Sequence, residues 1–235
     1  MKFKKINFNG YHLNLNLKDD AGLSVVNEIF KYREYRIIEN IIVDTDGPIV
    51  DAGAHLGFFT IYTKCLNQNS KIFCLEPEKD NIKILKENLA NNNIADVNIL
   101  QMALADKSGM GNLIISHDSH NHRLSVGGAV LKTQNLDIQK INTITISDLI
   151  NKYQWPHISL LKMDIEGAEK DVINSLSVHD FSKIKAIVFE YHENYNVNHG
   201  VLEKILRKNG FGVEIFPSQF DKKMGILFAN NKKNK

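Results

Sequence analysis

Between residues 49 and 60 a short β-branched run, Ile49 and Val50, ends in an acid, Asp51. The chain then passes two glycines, Gly53 and Gly57, and continues through Phe58 and Phe59 into an apolar stretch with helical spacing. That order reads as strand, tight turn, helix, the opening of a nucleotide-type βαβ unit. It sets the fold class as α/β, with later strands laid beside this one.

The turn narrows the ligand. A dinucleotide pyrophosphate needs backbone amides at close range and hence three glycines in G-x-G-x-x-G. Here Ala52, Ala54, His55 and Leu56 surround the only two glycines, Gly53 and Gly57. A carboxylate at the strand end repels phosphate but suits an ammonium group, so Asp51, Gly53, His55 and Gly57 are expected to hold the amino acid end of S-adenosylmethionine. A second acid agrees with this. Residues 71–77 read as the next strand and end in Glu76, nineteen positions after Gly57, near the spacing expected of a ribose-binding carboxylate. Its two oxygens can accept from both ribose hydroxyls. An acid before Pro77 could equally cap a helix; the pairing with the turn favours the ribose.

The chain has 235 residues, 43% hydrophobic and 24% charged, with a formal net charge of +2. That is enough for one α/β domain with a buried sheet. It carries no domain-wide basic footprint for nucleic acid. The basic residues near the N-terminus have no apolar core behind them and no apolar run approaches membrane-spanning length, so a cytoplasmic protein is expected. Cys65 and Cys74 sit in apolar settings and read as buried free thiols.

Residues 1–47 are expected to form a piece of their own. Residues 4–17 alternate apolar and polar around Asn9 and Gly10, which predicts a hairpin. Apolar residues then recur at helical spacing over residues 24–43, until Asp46, Gly47 and Pro48 break the pattern. This piece is expected to act as a lid over the ligand or as a structural cap.

Residues 48–235 hold the remaining units. A helix over 78–92 is followed by a third strand over 97–104, whose end would place Met102 and Ala103 beside the adenine. An insertion at about 105–147 contains strand-like residues 112–116 and 143–146, read as a hairpin at the mouth of the site. Within it His122 and Arg123 are candidate substrate contacts. The spacing of His117, His120 and His122 matches no closed zinc pattern, so no metal is expected.

An apolar strand over residues 158–163 is interrupted by Lys162 and ends at Asp164, with Glu166 and Glu169 following. Capping of the next helix explains the two glutamates. It does not explain Lys162, which shares a face with Asp164 and, if buried, needs a partner. Residues 185–191 form another buried strand, whose Glu190 and His192 share a face and finish at the same edge. A helix over 199–208, strands over 212–216 and 225–229, and a polar tail at 230–235 close the chain.

With these residues in hand, the chain resembles the FkbM-type S-adenosylmethionine-dependent methyltransferases. The likeness rests on the turn from Val50 to Gly57, on Leu75, Glu76 and Pro77, on the run from Leu161 to Glu169, and on Glu190, Tyr191 and His192. It covers roughly residues 48–229. The Lys-x-Asp-x-Glu-Gly-x-Glu run is its specific part; His55 stands where the family turn usually carries asparagine. The resemblance implies a Rossmann-like class I methyltransferase: a three-layer sandwich on a seven-stranded, mostly parallel sheet with its last strand antiparallel. It also implies methyl transfer to oxygen, with acceptors among sugars and polyketide-derived molecules.

The expected mechanism makes Asp164 or His192 the base, with Lys162, Glu166 and Glu190 orienting the site and Asp164 also near the cofactor. The partner is a small-molecule or glycan acceptor rather than nucleic acid, and a homodimer stays open. Two rival readings stand: a nicotinamide-dependent oxidoreductase, and a non-catalytic module that only binds the cofactor.

Overall fold

A computed structural model of the chain describes residues 2–115, 123–125, 137–165, 167–192, 199–218 and 222–232; at residues 115, 123–125 and 192 only the backbone is described. The chain opens with β1 (Phe3–Phe8) and β2 (Tyr11–Asn16), an antiparallel hairpin in which Phe8 faces Tyr11. Asn9 and Gly10 turn it with φ of 49° and 82°. Two positive φ values in a two-residue loop match the right-handed twist of the strands they join.

The single helix expected over 24–43 is instead four short pieces: α1 (Asp20–Val26), a π turn (Asn27–Lys31), a 3-10 turn (Glu34–Ile38) and α2 (Glu39–Val43). Arg33 has a φ of 53°, a left-handed conformation that stops any α-helix at that point. The apolar spacing survives because Val26, Ile29, Tyr35, Ile38 and Ile42 all turn into one core. Each side chain of this size contributes roughly 1.5–3 kcal/mol when removed from water.

The βαβ units follow as expected: β3 (Ile49–Ala52), α3 (Phe58–Leu66), β4 (Ile72–Leu75), α4 (Lys79–Asn91) and β5 (Val97–Leu100). The third strand stops at Leu100, short of residue 104. Ala103 and Leu104 form β6, which leaves for another sheet with β7 (Gly109–Ile115), β8 (Arg123–Ser125) and β9 (Asp137–Ile144), in the order β6-β9-β7-β8. So the insertion is a hairpin of β7 and β9 with β8 on its edge. Residues 145 and 146, read as strand, start a helix, α5 (Ile146–Tyr153), because the Thr145 side chain accepts from Asp148 N and caps it.

The chain then runs through β10 (Leu160–Met163), α6 (Glu169–Ser175), α7 (Val178–Ser182), β11 (Ala186–His192), α8 (His199–Lys208), β12 (Phe211–Pro217) and β13 (Met224–Asn231). Among the described residues seven strands make the central sheet, in the order β12-β13-β11-β10-β3-β4-β5. All neighbouring pairs are parallel except those of β13, which is antiparallel to both β11 and β12.

Strand alternation divides the core into two layers. Val50, Leu161 and Ile187 face α5, α6 and α8, whereas Ile49, Leu160 and Val188 face α3, α4 and the N-terminal pieces. The order in which strands are added reverses between the parallel neighbours β3 and β10, so the crevice at their carboxyl ends is where a sheet of this kind binds ligands. Asn88, fully buried, ties the N-terminal hairpin to that place: its amide donates to Asn16 O and Leu56 O, while its carbonyl accepts from Asn16 N. No helix among the described residues is long and apolar enough to cross a membrane.

Candidate active site

The turn after β3 is built by close approach. Gly53 has a φ of 74°, and a Cβ there would lie 1.8 Å from the Asp164 carbonyl oxygen, so only glycine lets the ends of β3 and β10 meet. Gly53 N and Ala54 N both donate to Leu75 O, which pins the turn to β4. His55 follows with a φ of 48°. Asparagine and histidine are among the non-glycine residues that tolerate this region best, which is a physical account of the family's asparagine and of its replacement here. Its backbone N–H donates to Glu76 Oε2 at 2.8 Å.

Glu76 is 5% exposed at the wall of a cavity. Its Oε1 accepts from Glu78 N at 2.9 Å and from Asn81 Nδ2. Burial pushes this carboxyl up to about 7, against the pull of those donors and of His55 N. The cavity holds about 950 Å³ of empty space, part of it open to solvent.

At the floor, strand parity puts Asp51, Lys162 and Glu190 on one face of three adjacent strands. Lys162 pairs in register with Asp51 on β3 and with Val188 on β11. Its Nζ donates to Gly53 O at 3.0 Å, lies 3.2 Å from Asp51 Oδ1 and 3.8 Å from Asp164 Oδ2. Burial works against the lysine's charge, but Asp51, Asp164 and Glu190 outweigh it and hold the ammonium above its ordinary value. Burial, and then the charge of Asp164, push the Glu190 carboxyl well above the usual range.

The structure therefore gathers Gly53, His55, Glu76, Ala103, Lys162, Asp164 and Glu190 around one cavity. Asp51 stands back from that cavity. That carboxylate is fully buried, takes Thr60 Oγ1 on one oxygen at 2.8 Å and Lys162 on the other, and does not line the cavity. Desolvation explains this: a buried acid must take its nearest cation. Gly57 and Met102 are also off the lining. Gly57 packs towards Leu85, and Met102 against the core beneath α5. Glu169 is a buried cap, accepting from Ile165 N at 3.0 Å.

Glu166 and His122 lie outside the described residues, as do His117 and His120; of Arg123 and His192 only the backbone is described, in β8 and at the end of β11. Among the described residues no group of three or more His, Cys, Asp or Glu is placed to hold a metal ion. Both thiols are buried and free.

Sequence reasoning missed the wall supplied by Val25, Ile29 and Tyr35, and by Phe59 and Leu113. Val25 and Ile29 read as ordinary helix-face apolar residues, and Tyr35 is not singled out. Nothing in their spacing separates a cavity wall from a core.

The sheet order, the glycine turn and the acid at the end of β4 define a Rossmann-like class I methyltransferase. The profile described as "Methyltransferase FkbM domain" matches residues 51–213, and the chain belongs to the FkbM methyltransferase family. Methyltransferase 1 of Beauveria bassiana is 27% identical over 203 residues, covering 78% of this chain and 81% of that protein. Methyltransferase sdnD of Sordaria araneosa is 27% identical over 211 residues, covering 73% and 78%. Two solved structures share the fold at low identity. An rRNA methylase from Streptococcus thermophilus aligns with a TM-score of 0.51 at 9% identity, covering 85% of this chain and 96% of that one. SMU.1697c from Streptococcus mutans in complex with SAH aligns with a TM-score of 0.51 at 10% identity, covering 84% and 97%.

The enzyme is thus an S-adenosylmethionine-dependent methyltransferase, and the nicotinamide reading falls away. The residues present fit that cofactor. Gly53 admits no side chain where the end of β3 meets the Asp164 carbonyl, Glu76 offers a buried carboxylate on the wall, and Ala103 and Leu104 add apolar lining.

Proposed function

We propose that the enzyme methylates a hydroxyl oxygen on a sugar, glycan or small-molecule natural product, with Asp164 as the base. The observation that carries this reading is a carboxylate whose side chain is 34% exposed, 3.8 Å from a buried lysine and at the carboxyl end of the strand next to the glycine turn. In this reading the turn from Gly53 to His55 would hold the amino acid end of S-adenosylmethionine, Glu76 its ribose, and Ala103 with Leu104 its adenine. The bound cofactor supplies an activated methyl group.

What the chain adds is alignment and proton removal. Asp164 accepts the hydroxyl proton as the acceptor oxygen takes the methyl. Lys162, locked between Asp51 and Gly53 O, holds Asp164 in place and balances its charge. Glu190 faces the same floor from β11, and His192, two residues on, is the alternative base. The apolar wall of Val25, Ile29 and Leu113 favours an acceptor that carries apolar surface beside its hydroxyl.

The test is transfer of a labelled methyl group from S-adenosylmethionine to a panel of hydroxylated sugars and natural products. Asp164→Asn should lower turnover by roughly 10²–10⁴-fold and preserve the fold. Full turnover by that variant would move the base elsewhere, and cofactor binding with no acceptor anywhere would favour a non-catalytic module.

A further inference from the structure

Tyr35 and Glu190 are 155 residues apart in the chain, yet Tyr35 Oη donates to Glu190 Oε1 at 2.8 Å. Both residues line the cavity. Tyr35 is 2% exposed, and its ring meets Phe59 edge-on with centroids 4.9 Å apart. It stands on the 3-10 turn that follows the left-handed Arg33, and so it precedes the 51–213 region shared with the family.

The bond matters to both partners. A buried phenol needs something to receive its proton. Glu190 needs a donor more, because it is buried and the negative charges of Asp164 and of Glu28 on the π turn act on it, with Lys162 opposing them. Burial first, and then Glu190, hold the Tyr35 hydroxyl well above its ordinary value, so it stays a donor. Taking one carboxylate oxygen also fixes the plane of Glu190 beside Lys162 and Asp164.

We propose that Tyr35 is a positioning residue for the reaction: it holds Glu190 against Lys162 and Asp164, which makes the N-terminal segment part of the reaction floor. This rests on the methyl-transfer reading above. Tyr35→Phe keeps the ring and removes only the hydroxyl. A donated hydrogen bond favours the ionised carboxylate, so its loss should raise the Glu190 titration by about one pH unit. Carboxyl ¹³C resonances in the full-length protein read this, with Glu190→Gln assigning the signal.

A merely structural role would lower the melting temperature and leave the Glu190 titration where the wild type has it, and that result overturns the proposal. Should Tyr35→Phe fail to fold, Glu190→Gln gives the reverse reading: removing the acid's charge should let Tyr35 ionise at lower pH, followed by tyrosinate absorbance. An unmoved Tyr35 there also overturns it. Calorimetry of wild-type protein with S-adenosylmethionine reads the methyltransferase assignment separately, since the titrations need no cofactor.

Discussion

Replacing Lys162 by methionine tests how the floor is held together. Methionine matches the aliphatic stem in length and polarisability, so packing changes little while the cation disappears. Asp51, fully buried and 3.2 Å from that cation, keeps only Thr60 as a described partner. Leaving one member of a buried ion pair behind costs about 3–5 kcal/mol. In a chain of 235 residues each kcal/mol moves the melting temperature by about 2–4 °C, so a drop of roughly 6–20 °C is expected. Urea unfolding at fixed pH measures the free energy directly. An orphaned buried carboxylate takes up a proton instead of staying charged, so the deficit should shrink as the pH falls. The double variant with Asp51→Asn, which removes the orphan, should recover most of the loss. A deficit below about 1 kcal/mol, the size of a surface pair, or one indifferent to pH, would refute the account of Lys162 as the buried counter-ion of this site.

Two further outcomes follow from the glycine turn and Glu76. Gly53→Ala should cost at least about 2 kcal/mol and abolish cofactor binding, since the new methyl meets the Asp164 carbonyl at 1.8 Å in a left-handed backbone; calorimetry with S-adenosylmethionine checks it, and retained affinity would contradict the close approach. Glu76 is an acid whose folded carboxyl is raised to about 7 from 4.5. The folded state therefore holds its proton more tightly than the unfolded one, and the cofactor-free protein should lose stability as pH rises from about 4.5 to about 7. Cofactor affinity should run the other way, strengthening towards pH 7 and above as the carboxylate becomes free to accept ribose hydroxyls. Glu76→Gln should flatten both profiles.

Much of the site was legible because its signals are local. The β-branched run into Asp51, the glycines behind it and the acid before Pro77 each report backbone conformation within a few residues. Lys162 stood out for a related reason: a charge inside an apolar strand demands a partner, and its spacing from Asp164 set their common face. Less legible were places where a local pattern has two tertiary solutions. Helical spacing over residues 24–43 fits one helix or four short pieces packed on the same core, and the left-handed Arg33 selects the second. The strand to residue 104 was read through because nothing in Met102 or Ala103 marks where one sheet ends and another begins.

The sequence by itself determined the βαβ opening, the class of ligand its turn admits and the set of acids and the lysine that would meet there, because turn sterics and strand parity act over neighbouring residues. Only the tertiary structure decided which of those groups lines the cavity. Asp51 turned inward to Lys162 and Glu190 came to Tyr35, because a buried charge is settled by whatever cation or donor another part of the chain brings within hydrogen-bonding distance.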